Sequence, residues 1–404
     1  MPSPVADDHP ETDPPGFWQL TALGEPFRLL FPVGVLLGAV GIILWPFYWV
    51  QWLAVYPAIP HQRIMIEGFM TAFVIGFLTT ALPRLLGASR VSLRETLALA
   101  ALLVLLSVFH LAKLTLAGDL TFAATLLLLF GILGRRIRQR DDNPPPGFVL
   151  VGLGLLLTLA GACLVVGPII LPIRWPGFVY ALGPLLLYQS YLLPIMGVGA
   201  FLIPRFYGLP PKSDFPESRQ LPPGWLREAG FAAGYGAVIL AGFLLEAAGW
   251  LRLGPGLRAA AFLLYFHRNL PKKRSGQPGG TLGSTLHIAA MAVPLAYLLM
   301  ALWPQWRMAW LHLLFITGFN LLTFVIASRV LLGHSGQSHR FRARLVPVIV
   351  MATCLIIAFV ARAGAEWVPQ GRLPHLGYAA FFWLLGTGVW AAALLPCATQ
   401  PDAD

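Results

Sequence analysis

The sequence predicts an all-α integral membrane protein, a bundle of about 12 transmembrane helices with both termini on the cytoplasmic side. Three observations carry that expectation. Of 404 residues, 57% are hydrophobic and only 11% charged, with a mean hydropathy of +0.72, which is more apolar surface than one soluble core encloses. Apolar runs of spanning length recur along the whole chain. Lys and Arg gather in alternate connections, the asymmetry that orients membrane helices.

Residues 1–26 are acidic and proline-rich and lack the basic stretch that opens a secretory leader. They read as a cytoplasmic tail, and the first apolar run reads as a retained helix. At about 17 to 25 mostly apolar residues per span, the spans fall at 28–50, 62–86, 93–112, 115–134, 147–168, 177–204, 229–249, 254–268, 284–303, 308–333, 344–364 and 375–397. The eighth is short for a span. Residues 27–397 thus form one polytopic domain, and 398–404 a short C-terminal tail.

The connections after the even-numbered spans hold most of the basic residues. They contain Arg84, Arg90 and Arg94; the run from Arg135 to Arg140; Lys212, Arg219 and Arg227; the Pro-Lys-Lys-Arg run ending at Arg274; and the basic run ending at Arg344. The other connections carry at most one each. Because the net charge of +11 is spread over these loops, it reflects topology and argues against a nucleic-acid-binding face. Thirteen Trp and ten Tyr suit the two interfacial belts. Cys163, Cys354 and Cys397 stand singly and predict neither disulfides nor a cysteine zinc site.

Polar groups inside apolar spans are the informative residues, because lipid penalises them. His9 falls in the tail and His267 and His339 in basic loops, where solvation accounts for them. His110, beside Lys113, and His375, opening the last span, read as interfacial. Four histidines form a pattern instead. His61 opens span two and His312 lies near the start of span ten on the same expected side; His287 opens span nine and His334 closes span ten on the other. At 1.5 Å per residue, His312 and His334 stand roughly 33 Å apart. The topology therefore pairs His61 with His312 and His287 with His334.

Imidazole suits iron, copper and zinc, and a porphyrin between facing helices commonly takes its axial bonds from histidine. The CxxCH attachment motif is absent, so any haem here is non-covalent. A histidine at a helix end also bonds backbone carbonyls at little cost, and the residues alone leave both readings open. Arg329, Arg205, Arg84 and Arg28 present a similar choice between pairing with a cofactor carboxylate and snorkelling to the interface. Glu67 and Glu246 sit within spans two and seven. They and the span-six residues Tyr188 and Tyr191 are candidate proton-relay members or satisfied hydrogen-bonding groups.

At these residues the chain resembles the NnrS family, bacterial inner-membrane proteins that contain haem and copper and are associated with the nitric oxide response. The likeness runs through "PFRLLFPVGVLLG", "HQRIMIEGFMTAFVIGFLTTALPRLLG", "GVGAFLIPRFYG", "LHIAAMAVPLAYLLMAL", "LHLLFITG" and "SRVLLGHSG". It implies a multi-pass protein of the bacterial inner membrane that holds haem through histidines at helix ends and binds nitric oxide or supports tolerance to it. One motif departs. Where the family reads His-x-His-Glu-Met, this chain has His61, Gln62, Arg63, Ile64 and Met65, so the second histidine and the glutamate that would support copper are missing. Glu67 is a candidate substitute.

Two other functions stay open at this stage. A bis-histidine haem electron carrier would show six-coordinate spectra and no ligand binding. A metal-free transporter would use glycine- and proline-broken helices around Glu67 and Glu246. Haem-dependent redox activity would further require an electron donor, which the sequence does not name.

Overall fold

The computed structural model describes residues 15–172, 175–210, 215–270 and 279–402. The first 14 residues of the expected tail, Lys212 and the Pro-Lys-Lys-Arg run ending at Arg274 lie outside the described residues. The short helix α1 (Phe17–Ala22) precedes α2 (Phe27–Trp49). There follow α3 (Ala58–Leu85), α4 (Leu93–Leu111), α5 (Thr115–Arg138), α6 (Phe148–Ile170), α7 (Pro176–Phe206) and α8 (Pro223–Ala247). The chain then forms α9 (Leu253–Asn269), α10 (Gly280–Leu302), α11 (Pro304–Gly333), α12 (Val346–Trp367) and α13 (Pro369–Thr399).

Eleven of these helices, α2 to α8 and α10 to α13, are long and apolar enough to cross a membrane. Eleven among the described residues agrees with the about twelve expected from the sequence, the eighth expected run being the one that falls short. The eighth run does fold, as α9, but Arg258, His267 and Arg268 interrupt its apolar residues. Its 17 residues extend roughly 26 Å, less than the ~30 Å of a hydrocarbon core. It packs between α8 and α10.

Inside lipid, apolar burial discriminates little between inside and outside, so close packing and polar bonds must hold the helices together. Small residues on α2 permit that closeness. A Cβ on Gly38 would lie 2.7 Å from Phe69 and 2.8 Å from Trp383, so only glycine lets α2 approach α3 and α13 this far. Behind it runs an aromatic seam: Phe69 stands edge-on to Trp383 at 5.6 Å, Phe73 meets Phe324 at 5.7 Å, and Phe324 meets Trp390 at 4.8 Å. The Trp390 indole donates to Ser328 Oγ at 2.8 Å. This seam joins α2, α3, α11 and α13.

A second apolar cluster, with Leu99 and Leu103 of α4 against Phe122 and Leu126 of α5, packs on the other flank of α3. Here a capping box sets the start of α4, as Ser92 and Glu95 bond each other's backbone N–H. Glu95 also receives both terminal nitrogens of Arg136, at 2.7 and 2.6 Å, a fork-to-fork pairing that fixes α5 against α4.

α3 and α11 share an irregularity. Each contains a π-helical stretch, Ile64–Met70 in α3 and Leu313–Asn320 in α11. In the first, Thr71 Oγ1 donates to Ile66 O at 2.8 Å. Widened turns of this kind carry one residue too many per turn and occur frequently at functional sites.

Candidate functional site

Both π-helical stretches begin just after a histidine, His61 in α3 and His312 in α11, and both histidines line one cavity of about 510 Å³. The other walls come from α2 (Ile42, Trp45), α7 (Leu185, Tyr188), α12 (Arg362) and α13 (Leu376, Trp383). Its volume falls in the range of small-molecule and cofactor sites. The expected pairing of His61 with His312 at one end of the bundle corresponds to this shared cavity.

The two imidazoles are held alike. His61 Nδ1 lies 3.0 Å from Gly41 O, and His312 Nδ1 lies 2.8 Å from Met308 O. Gly41 has no side chain where Met65 and Ile64 come close, which lets α3 bring His61 within reach of the α2 backbone. A carbonyl can only accept, so each Nδ1 carries the proton and each Nε2 keeps its lone pair. That is the usual arrangement of a metal-binding histidine.

Three guanidinium groups also line the cavity, Arg307, Arg362 and Arg372. Arg362 donates to Glu366 at 2.8 Å and Arg307 pairs with Glu246. Arg372 donates to Tyr56 Oη at 3.3 Å and makes no ion pair among the described residues. Trp383 keeps its buried indole N–H without a partner among the described residues. Two like-presented imidazoles, a largely apolar hollow and cationic groups able to meet carboxylates fit a haem.

Beside the cavity lies a buried polar cluster. Arg63 Nε stands 2.8 Å from Asp119 Oδ1 and 3.4 Å from Glu67 Oε1, and Arg63 also bonds Tyr188 Oη. His110 Nε2 is 2.9 Å from Glu67 Oε2. Sequence reasoning placed His110 at the interface; it is 1% exposed, held in a cleft between α3 and the start of α5. Asp119 was overlooked. The signal for it was a lone carboxylate inside an apolar run, which lipid tolerates only when paired.

At the opposite end of α2, His334 has different company. Its Nδ1 lies 2.8 Å from Glu25 Oε1, and Arg84 Nη1 lies 3.1 and 3.3 Å from its two ring nitrogens. Arg28, fully buried, donates to Glu25 at 2.6 Å, to Ala398 O and Gln400 O at 2.7 Å each, and to His334 O at 2.9 Å. Burial pushes the Glu25 carboxyl up, but the hydrogen bond and charge of His334 and the Arg28 guanidinium outweigh it and hold it near 2. His287 is exposed on α10, and its side chain makes no hydrogen bond among the described residues. Among the described residues no hydrogen bond or ion pair joins it to His334.

The remaining candidates sit apart from the cavity. Arg205 lies over the Phe201 ring at 3.6 Å, and Arg329 over Phe206 and Phe341 at 4.7 and 4.2 Å. Glu246 lies between Arg258 and Arg307, so it positions a cavity guanidinium. Tyr191 Oη is 2.5 Å from Thr71 Oγ1, beside the π-helical stretch of α3.

A family model for the NnrS protein matches residues 21–401. The chain belongs to the NnrS family. Membership is consistent with a membrane protein of the nitric oxide response. A search among curated proteins gave no match. In the second spanning helix a guanidinium, Arg63, stands among the buried carboxylates, and His61 lines the cavity with Met65.

Proposed function

We propose that this NnrS protein holds non-covalent haem in the cavity between α3 and α11, with His61 and His312 as axial ligands, and that nitric oxide binds there. One observation carries the reading. Both imidazoles commit Nδ1 to a backbone carbonyl and line the same hollow, so each has Nε2 to offer to one occupant. Arg372 and Arg362 would meet the porphyrin carboxylates by charge-assisted hydrogen bonds. Ferrous haem binds nitric oxide where an axial position is open or an axial ligand can leave. The chain's own part is to fix the two rings, to exclude water with Ile42, Leu185 and Trp383, and to anchor the carboxylates.

Copper fits less well. The buried Glu67, His110 and Asp119 have the side-chain chemistry of metal ligands, but Arg63 stands among the same carboxylate oxygens and its positive charge opposes a cation there. No role is assigned to copper. With two histidines on one cavity, retention of both axial bonds would make an electron carrier instead, inert to nitric oxide.

Absorption spectra of the detergent-purified protein, oxidised and reduced, with and without nitric oxide, test this, with iron counted on the same sample. The expected result is a Soret band that shifts with nitric oxide. A Soret band that ignores it supports the electron carrier. No Soret band and no iron, in protein made with ample haem, overturns haem binding and returns the metal-free transporter.

A further inference from the structure

The cluster of Arg63, Glu67, His110 and Asp119 lies within the spans α3, α4 and α5, and its members are 6%, 0%, 1% and 1% exposed. One atom from each of Glu67, His110 and Asp119 falls within 4.8 Å of the others. Its charges do not cancel. Two carboxylates face one guanidinium, leaving −1 with neutral His110. Tyr188 and Tyr191 of α7 are the other titratable groups against it, and no further charged group among the described residues pairs with it.

An uncompensated charge at such a depth is costly. Two carboxylates sharing a site with too little positive charge relieve it by taking up a proton between them. Two observations show room for one. Glu67 Oε1 and His110 Nδ1 are buried and have no hydrogen-bond partner among the described residues. The His110 ring is also held in place, since it lies where a Cβ on Gly118 would fall, 2.4 Å from its Cε1. A divalent ion would instead leave the cluster at +1 with Arg63 still in contact.

We infer that Glu67 and Asp119 form a buried binding site for one exchangeable proton, with His110 bonded to Glu67. The site adjoins the cavity. Arg63 bonds both Asp119 and Tyr188, and Tyr188 and Gln62 line the cavity, 3.5 Å apart. Because Arg63 donates to the Tyr188 oxygen, the phenol's own hydrogen is left for Gln62 or for whatever fills the cavity. A change in the cluster's charge therefore reaches the occupant through a fixed guanidinium. The proton site itself requires no haem.

Infrared difference spectroscopy on the purified full chain, between each variant and the parent protein, counts protonated carboxyl groups by a C=O band that shifts in D2O. The expected count at this site is one. Glu67→Gln and Asp119→Asn each leave one carboxylate with one guanidinium, so each should lose the whole band. Arg63→Gln leaves two carboxylates with no guanidinium and should double it; if that variant fails to fold, the two amide variants decide. A band surviving in either amide variant, or none in the parent, overturns the inference. So does a divalent metal retained at one per chain and lost in Asp119→Asn. These readouts are independent of the Soret band, so failure here and failure of haem binding are distinguishable.

Discussion

At one end of α2, His61 and His312 border a hollow of about 510 Å³ with a lone pair left on each ring; at the other, His334 is enclosed by Glu25, Arg28 and Arg84. The residue types are much the same. What differs is whether the polar groups satisfy one another. Around His334 they do, and the product is a clasp in which Arg28 ties the segment before α2 to the α11 terminus and to the chain's last residues. Around His61 and His312 the partners are backbone carbonyls, Gly41 O of α2 for the first and Met308 O one turn back in α11 for the second, which orient the rings without filling the space between them. Of the two ends, the one with His61 and His312 leaves ring nitrogens beside an open hollow.

The comparison predicts that damage at the two ends separates stability from pigment. The largest expected effect on stability is Arg28→Met, which takes the Arg28 donor from three backbone carbonyls and leaves Glu25 to His334 and Arg84 alone; breaking a buried pair of this kind costs about 3–5 kcal/mol. Thermal unfolding in detergent should show it, while haem content per folded protein stays that of the parent. Arg372→Gln should do the reverse. Its guanidinium is exposed, so stability should change by less than about 0.5 kcal/mol, while loss of one charge-assisted contact should weaken haem retention roughly tenfold. Transfer of haem to an apo-globin acceptor measures that.

The last prediction concerns the pH dependence set by Glu25. Its carboxyl is held near 2 against an ordinary 4.5. A depressed folded value contributes stability that is present above 4.5 and lost as pH falls toward 2. Melting temperature should therefore drop through that window, and Glu25→Gln should flatten the dependence. An unchanged slope in that variant would remove Glu25 from the account of the clasp.

Much of this was legible in the sequence, for physical reasons. Apolar run length reports spans directly, so ten of the twelve expected helices needed only boundary changes, and the run at 177–204 kept its place as the broken α7. The eighth misled because α9 is apolar enough to hide yet too short and too basic to span. Pairing His61 with His312 followed from counting sides, since residues at one end of a bundle can meet. The same count set His287 against His334 but could not see which helix faces meet, and α10 turns His287 outward. Arg28 and Arg84 were visible as costly residues; that they answer Glu25 was not, because Glu25 sits outside the spans where carboxylates attract notice. His110 and Asp119 come together across α4 and α5 through a tight turn at Lys113, whose φ is 63°, a closeness that spacing along the chain conceals.

The most direct test of the central claim is the haem content of three single variants, His61→Ala, His312→Ala and His334→Ala, read from the Soret band per folded protein. The account predicts that the first two lose most of the band and the third keeps it. A band that survives in both His61→Ala and His312→Ala but disappears in His334→Ala would contradict it, and would move the cofactor to the end of the bundle described here as a clasp.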